Sequence, residues 1–415
     1  MNDQHQDLGP QGTPARPAGS GAAGPPSSTE TVTADDLRYQ RDILQGVSRT
    51  FALTIPTLPD QLCLSVGNAY LLCRLADTIE DEPALSAAQK RALSEQFIDV
   101  VAGATEPDRF ATELLPLLSG ATLDAERDLV ANTARVIRIT RSLMPGQRRA
   151  LERCVRIMGA GMAEFQEKET LDGLADQREM DRYCYYVAGV VGEMLTDLFC
   201  EHSPDIARHR ETLQALAVSF GQALQMTNIL KDIWDDRSRG ACWLPREVFL
   251  RAGFSLGELT PGAGTPEFQR GLLELVSVAA GHLHNALRYT LTIPPAHAGI
   301  RRFCLWALGM AVLTLRKIRR RPDFASGAEV KITRRTVHAT VAVTSAFARV
   351  DFVLEALFAV AVGGLMQPAT RSGEAGPDAA RQYAREPIEG SSPEPLYAAG
   401  HGPANAREPQ ENAQP

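Results

Sequence analysis

Apolar residues recur at helical spacing through almost the whole chain between Asp35 and Met366. We find no convincing stretch in which apolar and polar residues alternate as in a strand, and no repeat of fixed period. The pattern predicts helices at about 35–46, 48–58 (broken by Pro56), 61–82, 87–102, 107–118, 123–142, 146–169, 177–201, 207–236, 245–252, 267–291, 298–321 and 333–365. We therefore predict a single all-α domain.

The two ends of the chain lack this pattern. Residues 1–33 and 367–415 are rich in Pro, Gly and small or polar residues, and have no periodic apolar positions that could form a core. We predict a disordered tail at each end, residues 1–33 and 367–415, around one folded domain at 34–366. That middle part is long enough for one large domain.

Composition narrows the class of protein. A formal net charge of -7 gives no support for general nucleic-acid binding. The seven cysteines include no C-x-x-C pair and are odd in number, which favours reduced thiols in a reducing compartment. We see no secretory signal, and the longest apolar runs, Cys304–Leu315 and Ala356–Met366, are shorter than the roughly 20 residues that span a bilayer. The sequence predicts a cytoplasmic protein, with peripheral contact to a membrane left open.

A first acidic segment follows the apolar run at residues 69–73. On one stripe of the predicted helix lie Tyr70, Arg74, Asp77 and Asp81, and Pro83 ends the helix directly after four carboxylates. Acids at a helix C-terminus face the negative end of the helix dipole, so the arrangement is unfavourable without a cation. It predicts a site for a hard divalent metal ion.

A second acidic segment lies about 150 residues later, on the predicted helix 207–236. Gly221, Gln225, Asn228, Asp232 and Asp235 or Asp236 share one stripe of an otherwise apolar helix. Mg²⁺ prefers oxygen ligands and is usually held by one or two carboxylates together with substrate phosphates. Two such clusters could hold Mg²⁺ and a diphosphate, with Arg49, Arg74 and Lys231 offsetting phosphate charge. The alternative for each cluster alone is a solvated helix end.

A metal-bound diphosphate is a good leaving group, and its departure from an allylic carbon leaves a carbocation. Such a cation must be kept from water in an apolar cavity, where tyrosine rings and hydroxyls are useful. Tyr70, Tyr183, Tyr185 and Tyr186 are candidates, although packing alone would explain any one of them.

Five segments, in this order and at similar spacing, resemble those of squalene synthases and the wider group of phytoene and dehydrosqualene synthases. They are residues 48–51, 77–81, 158–165, 183–189 and 228–236. The resemblance covers roughly residues 40–345 and implies an isoprenoid synthase fold, a single helical domain around a central cavity. It also implies that two farnesyl diphosphates are joined head to head, with Mg²⁺ (or Mn²⁺), into presqualene diphosphate. In squalene synthases NADPH then reduces the rearranged cation to squalene.

The resemblance implies a role for each matching residue. The implied catalytic residues are Tyr183, Tyr70, Arg74, Asp77 and Asp81. The implied diphosphate-binding residues are Ser48, Arg49, Phe51, Arg74, Gln225, Asn228 and Lys231. The implied metal ligands are Asp77, Glu80, Asp81, Asn228, Asp232, Asp235 and Asp236, and the implied NADPH-binding residues are Lys331 and Arg334. The chain departs from the family pattern in having Lys231 where Arg is usual, and no G-x-G-x-x-G motif supports NADPH binding.

Residues 302–308 and 330–332 resemble squalene synthases more than phytoene-type enzymes. The enzyme alternatives are a phytoene or dehydrosqualene synthase, or an enzyme that stops at presqualene diphosphate. A chain-elongating prenyltransferase is disfavoured, because D-D-x-x-D boxes are absent from the two acidic segments. A helical scaffold that binds divalent cations without catalysis is the alternative outside enzymes. We predict a monomer, and prenyl chain length stays open.

Overall fold

The computed structural model describes residues 31–48, 50–166, 170–262 and 264–366. The predicted tails lie outside these residues, apart from residues 31–33, and so does Arg49. From Val32 onward the described residues belong to one compact unit.

The described residues form helices and no strands, as the sequence pattern predicted; one isolated bridge pairs Leu174 with Pro245. The first nine helices are α1 (Ala34–Val47), α2 (Phe51–Thr54), α3 (Asp60–Asp81), α4 (Ala87–Ala102), α5 (Pro107–Leu114), α6 (Asp124–Ala131), α7 (Thr133–Ser142), α8 (Pro145–Gln166) and α9 (Gln177–Cys184). The next nine are α10 (Val190–His202), α11 (Pro204–Ala207), α12 (Arg210–Ser238), α13 (Arg246–Arg251), α14 (Pro266–Thr292), α15 (Ala298–Arg320), α16 (Gly327–Val330), α17 (Arg334–Ala346) and α18 (Asp351–Val362).

Several predicted helices differ from the observed ones, and for three of them a cause is visible in the structure. The helix predicted at 123–142 is divided at Asn132, whose side-chain amide donates to the backbone carbonyl of Asp128 and so competes with helix continuation. The helix predicted at 48–58 is reduced to α2 and a short 3₁₀ turn, Ile55–Thr57, that contains the proline. The helix predicted at 333–365 is divided into α17 and α18, because buried Arg301 binds the connection between them.

The long helix α12 lies at the centre of the packing. It contacts α10 on one side and α14 and α15 on another, while α3, α4, α8 and α10 pack together beyond it. Two clusters of buried apolar side chains result, and Tyr186, Val187 and Phe220 pack against both clusters. The core is therefore continuous from α3 to α15. The seven cysteines are free thiols and six of them are buried, as expected for reduced core thiols.

Two glycines allow α12 to approach the segment from α9 to α10 closely. A Cβ on Gly221 of α12 would lie 2.1 Å from the carbonyl oxygen of Ala188, and a Cβ on Gly192 of α10 would lie 2.2 Å from that of Ala217. Side chains at these positions would push the helices apart. Between α9 and α10 the chain forms a π-helical turn, Tyr185–Gly189, which the sequence pattern did not predict.

Among the described helices, two, α3 and α15, are long and apolar enough to cross a membrane by length and composition alone. However, 67% and 72% of their apolar windows are buried inside the protein. Core helices of globular proteins meet the same criterion, so this is weak support for a membrane span.

Candidate active site

Three of the predicted acids share the last turns of α3. Arg74 Nη1 lies 3.6 Å from Asp77 Oδ2, and its Nη2 lies 3.1 Å from Glu126 of α6. Burial raises the pKa of Asp77 to about 6, although Arg74 acts in the opposite direction. Burial, followed by the charges of Asp81 and Asp77, holds the pKa of Glu80 well above its ordinary value. These carboxylates therefore lack enough positive charge nearby to offset their desolvation.

Glu82, the fourth carboxylate assigned to this helix end, points elsewhere, so its inclusion in the cluster was wrong. Its carboxylate accepts hydrogen bonds from the backbone N–H groups of Ala84 and Ser119 and from the hydroxyl of Thr122. Burial alone would raise the pKa of Glu82, but these hydrogen bonds lower it to about 2. Glu82 fixes the loop after α3 rather than the site.

Replacing Glu82 by Gln is expected to lower the free energy of unfolding by about 1–2 kcal/mol near neutral pH. This is less than the free energy that corresponds to the pKa shift, because the loop around Glu82 is partly exposed to solvent. The folded-state pKa lies below the ordinary value of 4.5, so the carboxylate stabilises the fold fully above pH 4.5. This contribution is lost as the pH falls toward about 2. Denaturant unfolding of both proteins across this pH range tests it, and a stability difference that does not change with pH would contradict it.

The second cluster lies at the end of α12, with its members pointing in different directions. Asn228 and Asp235 are exposed, Asp232 is partly exposed, and Asp236 is buried. Lys231 Nζ lies 3.0 Å from Asp232 Oδ2 and donates to Asn228 Oδ1 at 3.3 Å. Gln225 lies one turn earlier on the same face and is partly exposed.

The short helix α16 packs against this end of α12. A Cβ on Gly327, its first residue, would lie 3.0 Å from the Lys231 carbonyl oxygen and 3.3 Å from Asp232 Oδ1. Lys331 follows α16 directly, and Arg334 begins α17. Both side chains are exposed, and neither forms an ion pair within the described part of the chain. The fold thus places the connection that carries the two predicted cofactor cations beside the second acidic cluster.

Arg239 joins the two acidic helix ends. Its Nη1 lies 2.8 Å from Asp81 Oδ1 of α3, and its Nη2 lies 2.7 Å from Asp236 Oδ1 of α12. Burial raises the pKa of Asp236 to about 6, against the hydrogen bond and charge of Arg239. One planar guanidinium spans both carboxylates, so the two clusters face each other, as the sequence analysis expected.

Tyr183 lies beside the first cluster, with its hydroxyl donating to Glu80 Oε1 at 3.5 Å. Its ring stacks on Trp243 with centroids 4.1 Å apart and an interplanar angle of 7°, and Phe165 lies 5.3 Å away. Burial, and next the charge of Glu80, raises the pKa of Tyr183 well above its ordinary value. The phenol is therefore protonated at neutral pH. Tyr185 belongs to the first apolar core cluster, whereas Tyr186 packs against both clusters and lies 6.1 Å from Phe165.

The remaining predicted residues lie around Tyr70, one turn before Arg74 on α3. The hydroxyl of Tyr70 donates to the Val47 carbonyl at 3.1 Å, and its ring lies 5.1 Å from that of Phe51. Ser48 Oγ accepts from the Phe51 backbone N–H at 2.9 Å. Arg74 Nε is buried and has no hydrogen-bond acceptor among the residues that the structure describes, which leaves one donor for an anion. Arg49, between these residues in sequence, lies outside the described residues.

Sequence reasoning missed several residues that complete the site. They are Arg239, which bridges the clusters; Glu126, which pairs with Arg74; Trp243, which stacks on Tyr183; and Lys90 and Gln166, which donate to the Glu80 carbonyl. Arg239 and Trp243 had a weak signal, because both closely follow the second acidic segment. Glu126, Lys90 and Gln166 come from other helices and leave no local pattern.

The squalene/phytoene synthase family model matches residues 44–336, about seven tenths of the chain. The chain belongs to the squalene/phytoene synthase family. Among its curated relatives in this family, the squalene synthase of Eremothecium gossypii is 28% identical over 291 residues, which cover 69% of this chain and 63% of that protein. The squalene synthase BSS of Botryococcus braunii is 30% identical over 287 residues, covering 68% of this chain and 58% of that protein. The chain thus spans about three fifths of the length of these relatives.

Solved structures of synthases show the same fold. The complex of TcSQS with the ligand E5700 aligns with a TM-score of 0.66 at 22% identity, covering 84% of this chain and 96% of that chain. A dehydrosqualene synthase in complex with a ligand aligns with a TM-score of 0.56 at 20% identity, covering 75% of this chain and 96% of that chain. The predicted isoprenoid synthase fold is confirmed.

The donor set of the two acidic clusters fits a divalent cation. Within the described residues, no three His, Cys, Asp or Glu side chains converge on one point that could hold a metal ion. However, the available donors are carboxylate oxygens, and Mg²⁺ needs only one or two of them besides diphosphate and water. Asp81 and Asp236 already share one cationic group, so they are close enough to share a metal-bound ligand set.

Proposed function

We propose that this chain is a squalene synthase, a prenyltransferase that joins two farnesyl diphosphates head to head into presqualene diphosphate and then reduces that intermediate to squalene with NADPH. The observation that carries the proposal is the meeting of the two acidic helix ends at Arg239, with the buried hydroxyl of Tyr183 beside Glu80. Membership of the squalene/phytoene synthase family supports it.

The ligands of Mg²⁺ would come from both clusters: Asp77, Glu80 and Asp81 of the first, and Asn228, Asp232, Asp235 and Asp236 of the second. When bound, Mg²⁺ would neutralise diphosphate and make it a better leaving group. The side chains of Arg74 and Lys231 supply further positive charge. Arg74 Nε offers an unused buried donor, and Lys231 lies at the edge of the second cluster. Arg49, Ser48, Phe51 and Gln225 are proposed to complete the diphosphate side.

Tyr183 is proposed to act on the reacting prenyl group. Its phenol is protonated and lies against Glu80, so the pair can hold or donate a proton at the phenolic oxygen. The rings of Tyr183, Trp243 and Phe165 form an aromatic wall that excludes water and whose faces stabilise a carbocation. Tyr70 is proposed to line the same space from the side of Phe51.

The reductive step rests on Lys331 and Arg334. Both are exposed and have no ion-pair partner in the described part of the chain, so they fit the phosphate of NADPH; α16, which precedes Lys331, packs on the α12 helix of the second acidic cluster. The alternative enzymes that need no reductant would still carry out the head-to-head condensation. A synthase that stops at presqualene diphosphate needs only the acidic helices and Tyr183.

Incubation of the full chain with farnesyl diphosphate and Mg²⁺, with and without NADPH, separates these functions by product. We expect presqualene diphosphate without NADPH and squalene with it. Dehydrosqualene, or squalene formed without any reductant, would contradict the proposed reductive step. The absence of any farnesyl diphosphate turnover, with and without Mn²⁺ in place of Mg²⁺, would favour the non-catalytic scaffold.

A further inference from the structure

Arg239 lies between the two acidic helix ends. Its Nη1 donates to Asp81 Oδ1 at 2.8 Å, and its Nη2 donates to Asp236 Oδ1 at 2.7 Å. Both carboxylates are proposed metal ligands. A divalent cation bound to these two oxygens would lie next to the guanidinium and be repelled by it, because two positive charges would share the same small space. Arg239 and a metal ion therefore compete for the same two oxygens.

The backbone that carries Arg239 is fixed by the end of α12. The N–H of Ala241 donates to the Asp236 carbonyl at 3.0 Å. The N–H of Gly240 donates to the Arg237 carbonyl at 3.1 Å. This pair of hydrogen bonds is a Schellman motif, and Gly240 has the positive φ, 93°, that the motif favours. Because these bonds hold the backbone, Arg239 can leave the two carboxylates by rotation of its side chain alone.

The guanidinium itself is held loosely. The side chain of Arg239 is 48% exposed, and that of Asp81 is 50% exposed. Ion pairs at such exposure are weak, because water competes for both partners. Within the part of the chain that the structure describes, the guanidinium has no hydrogen bond besides those to Asp81 and Asp236. Its five N–H groups are therefore not all used, and an anion can bind the others.

The chemistry of the guanidinium suits a diphosphate. Its planar fork of N–H groups binds the oxygens of a phosphate as it binds those of a carboxylate. A diphosphate that reaches the two acidic helix ends with a metal ion comes within reach of Arg239, because this side chain starts between those ends. Arg74 and Lys231 each pair on one side of the site, whereas Arg239 reaches both.

We propose that Arg239 exchanges its partners when substrate binds. In the ligand-free protein it bridges Asp81 and Asp236 in place of a metal ion, and when these carboxylates bind metal the guanidinium moves to the diphosphate oxygens. This inference rests on the proposed function, because it requires diphosphate to bind at the acidic clusters. Arg239 is thus a further diphosphate-binding residue, and metal alone binds more weakly than metal together with diphosphate.

Two binding measurements on the full chain test the exchange. Mn²⁺ binding without diphosphate is followed by electron paramagnetic resonance, and binding of inorganic diphosphate in the presence of Mg²⁺ by isothermal titration calorimetry. Arg239→Gln should strengthen the first by about two- to fivefold, because a weak competing ion pair is removed. It should weaken the second by about tenfold or more, because charge-assisted hydrogen bonds are lost. Arg239→Lys keeps the charge without the planar fork, so it should recover part of the diphosphate affinity.

The matched control is Arg237→Gln. Arg237 lies two residues earlier, and its Nη1 donates to the Leu171 carbonyl at 3.0 Å rather than to a carboxylate of either cluster. The substitution removes one positive charge from the same turn and so measures the effect of net charge alone. Both affinities should stay within about twofold of those of the unaltered protein. Neither arginine is buried, so all three variants should fold, and circular dichroism checks this.

The signs of the two changes decide the inference. If Arg239→Gln strengthened both kinds of binding or left both unchanged, Arg239 would not contact the diphosphate. If it weakened both, Arg239 would only maintain the structure of the site, and equal effects of Arg237→Gln would reduce the result to net charge. Each of these results would overturn the exchange while farnesyl diphosphate turnover by the unaltered chain, and so the proposed function, still held. Absence of that turnover, with neither Mn²⁺ nor diphosphate bound, would overturn both.

Discussion

Asp81→Asn and Asp236→Asn are each expected to lower farnesyl diphosphate turnover by about 10²–10³-fold, the usual effect of removing one group that stabilises developing charge. Each substitution removes one of the two carboxylates that Arg239 bridges, so each also weakens the binding of a divalent cation between α3 and α12. Steady-state turnover measures the first effect. Titration with Mn²⁺, followed by electron paramagnetic resonance without substrate, measures the second.

Two variants make this result specific. Glu82→Gln removes a carboxylate from the same end of α3, but one bound to Ser119 and Thr122, so cation binding should be unchanged. Arg239→Gln should act in the opposite direction and strengthen Mn²⁺ binding without substrate, because it removes the cation that the metal must compete with. Turnover and Mn²⁺ binding at the unaltered level in both Asp variants would exclude these carboxylates from the metal site.

The helices could be predicted from the sequence because each buries an apolar stripe of helical period. Most observed boundaries follow local signals, such as the Thr33 capping box of α1 and the proline after α3. The turn between α17 and α18 could not be predicted, because it contains neither Gly nor Pro. It is held by Arg301, which lies about 50 residues earlier in the chain, and a tertiary contact of this kind leaves no trace in a local window.

The candidate site could be predicted only in part, for a similar reason. The helical spacing placed Asp77 and Asp81 on one stripe, and the structure brings Asp81 to within reach of Asp236 through Arg239. The orientation of Glu82 could not be predicted, since it depends on hydrogen-bond donors from the loop at residues 119–122. The π-helical turn that follows Tyr183 is set by close packing against Gly221 of α12, which also has no local signature.

Tyr183→Phe is expected to lower formation of presqualene diphosphate by about 10²-fold or more, the usual contribution of a positioned proton donor, while stability changes little. The phenyl ring keeps the stack on Trp243, and the hydrogen bond to Glu80 that is lost is long, at 3.5 Å. The matched control is Tyr185→Phe, because Tyr185 belongs to the first core cluster and its buried hydroxyl donates at 3.4 Å to another glutamate, Glu193. Product formation without NADPH and the melting temperature are measured for both variants. Only Tyr183→Phe should lose turnover, because only its hydroxyl lies at the acidic helix ends. A fall in melting temperature with unchanged turnover per folded molecule would make Tyr183 a packing residue, and the proton donor would then have to be another residue near the two acidic clusters.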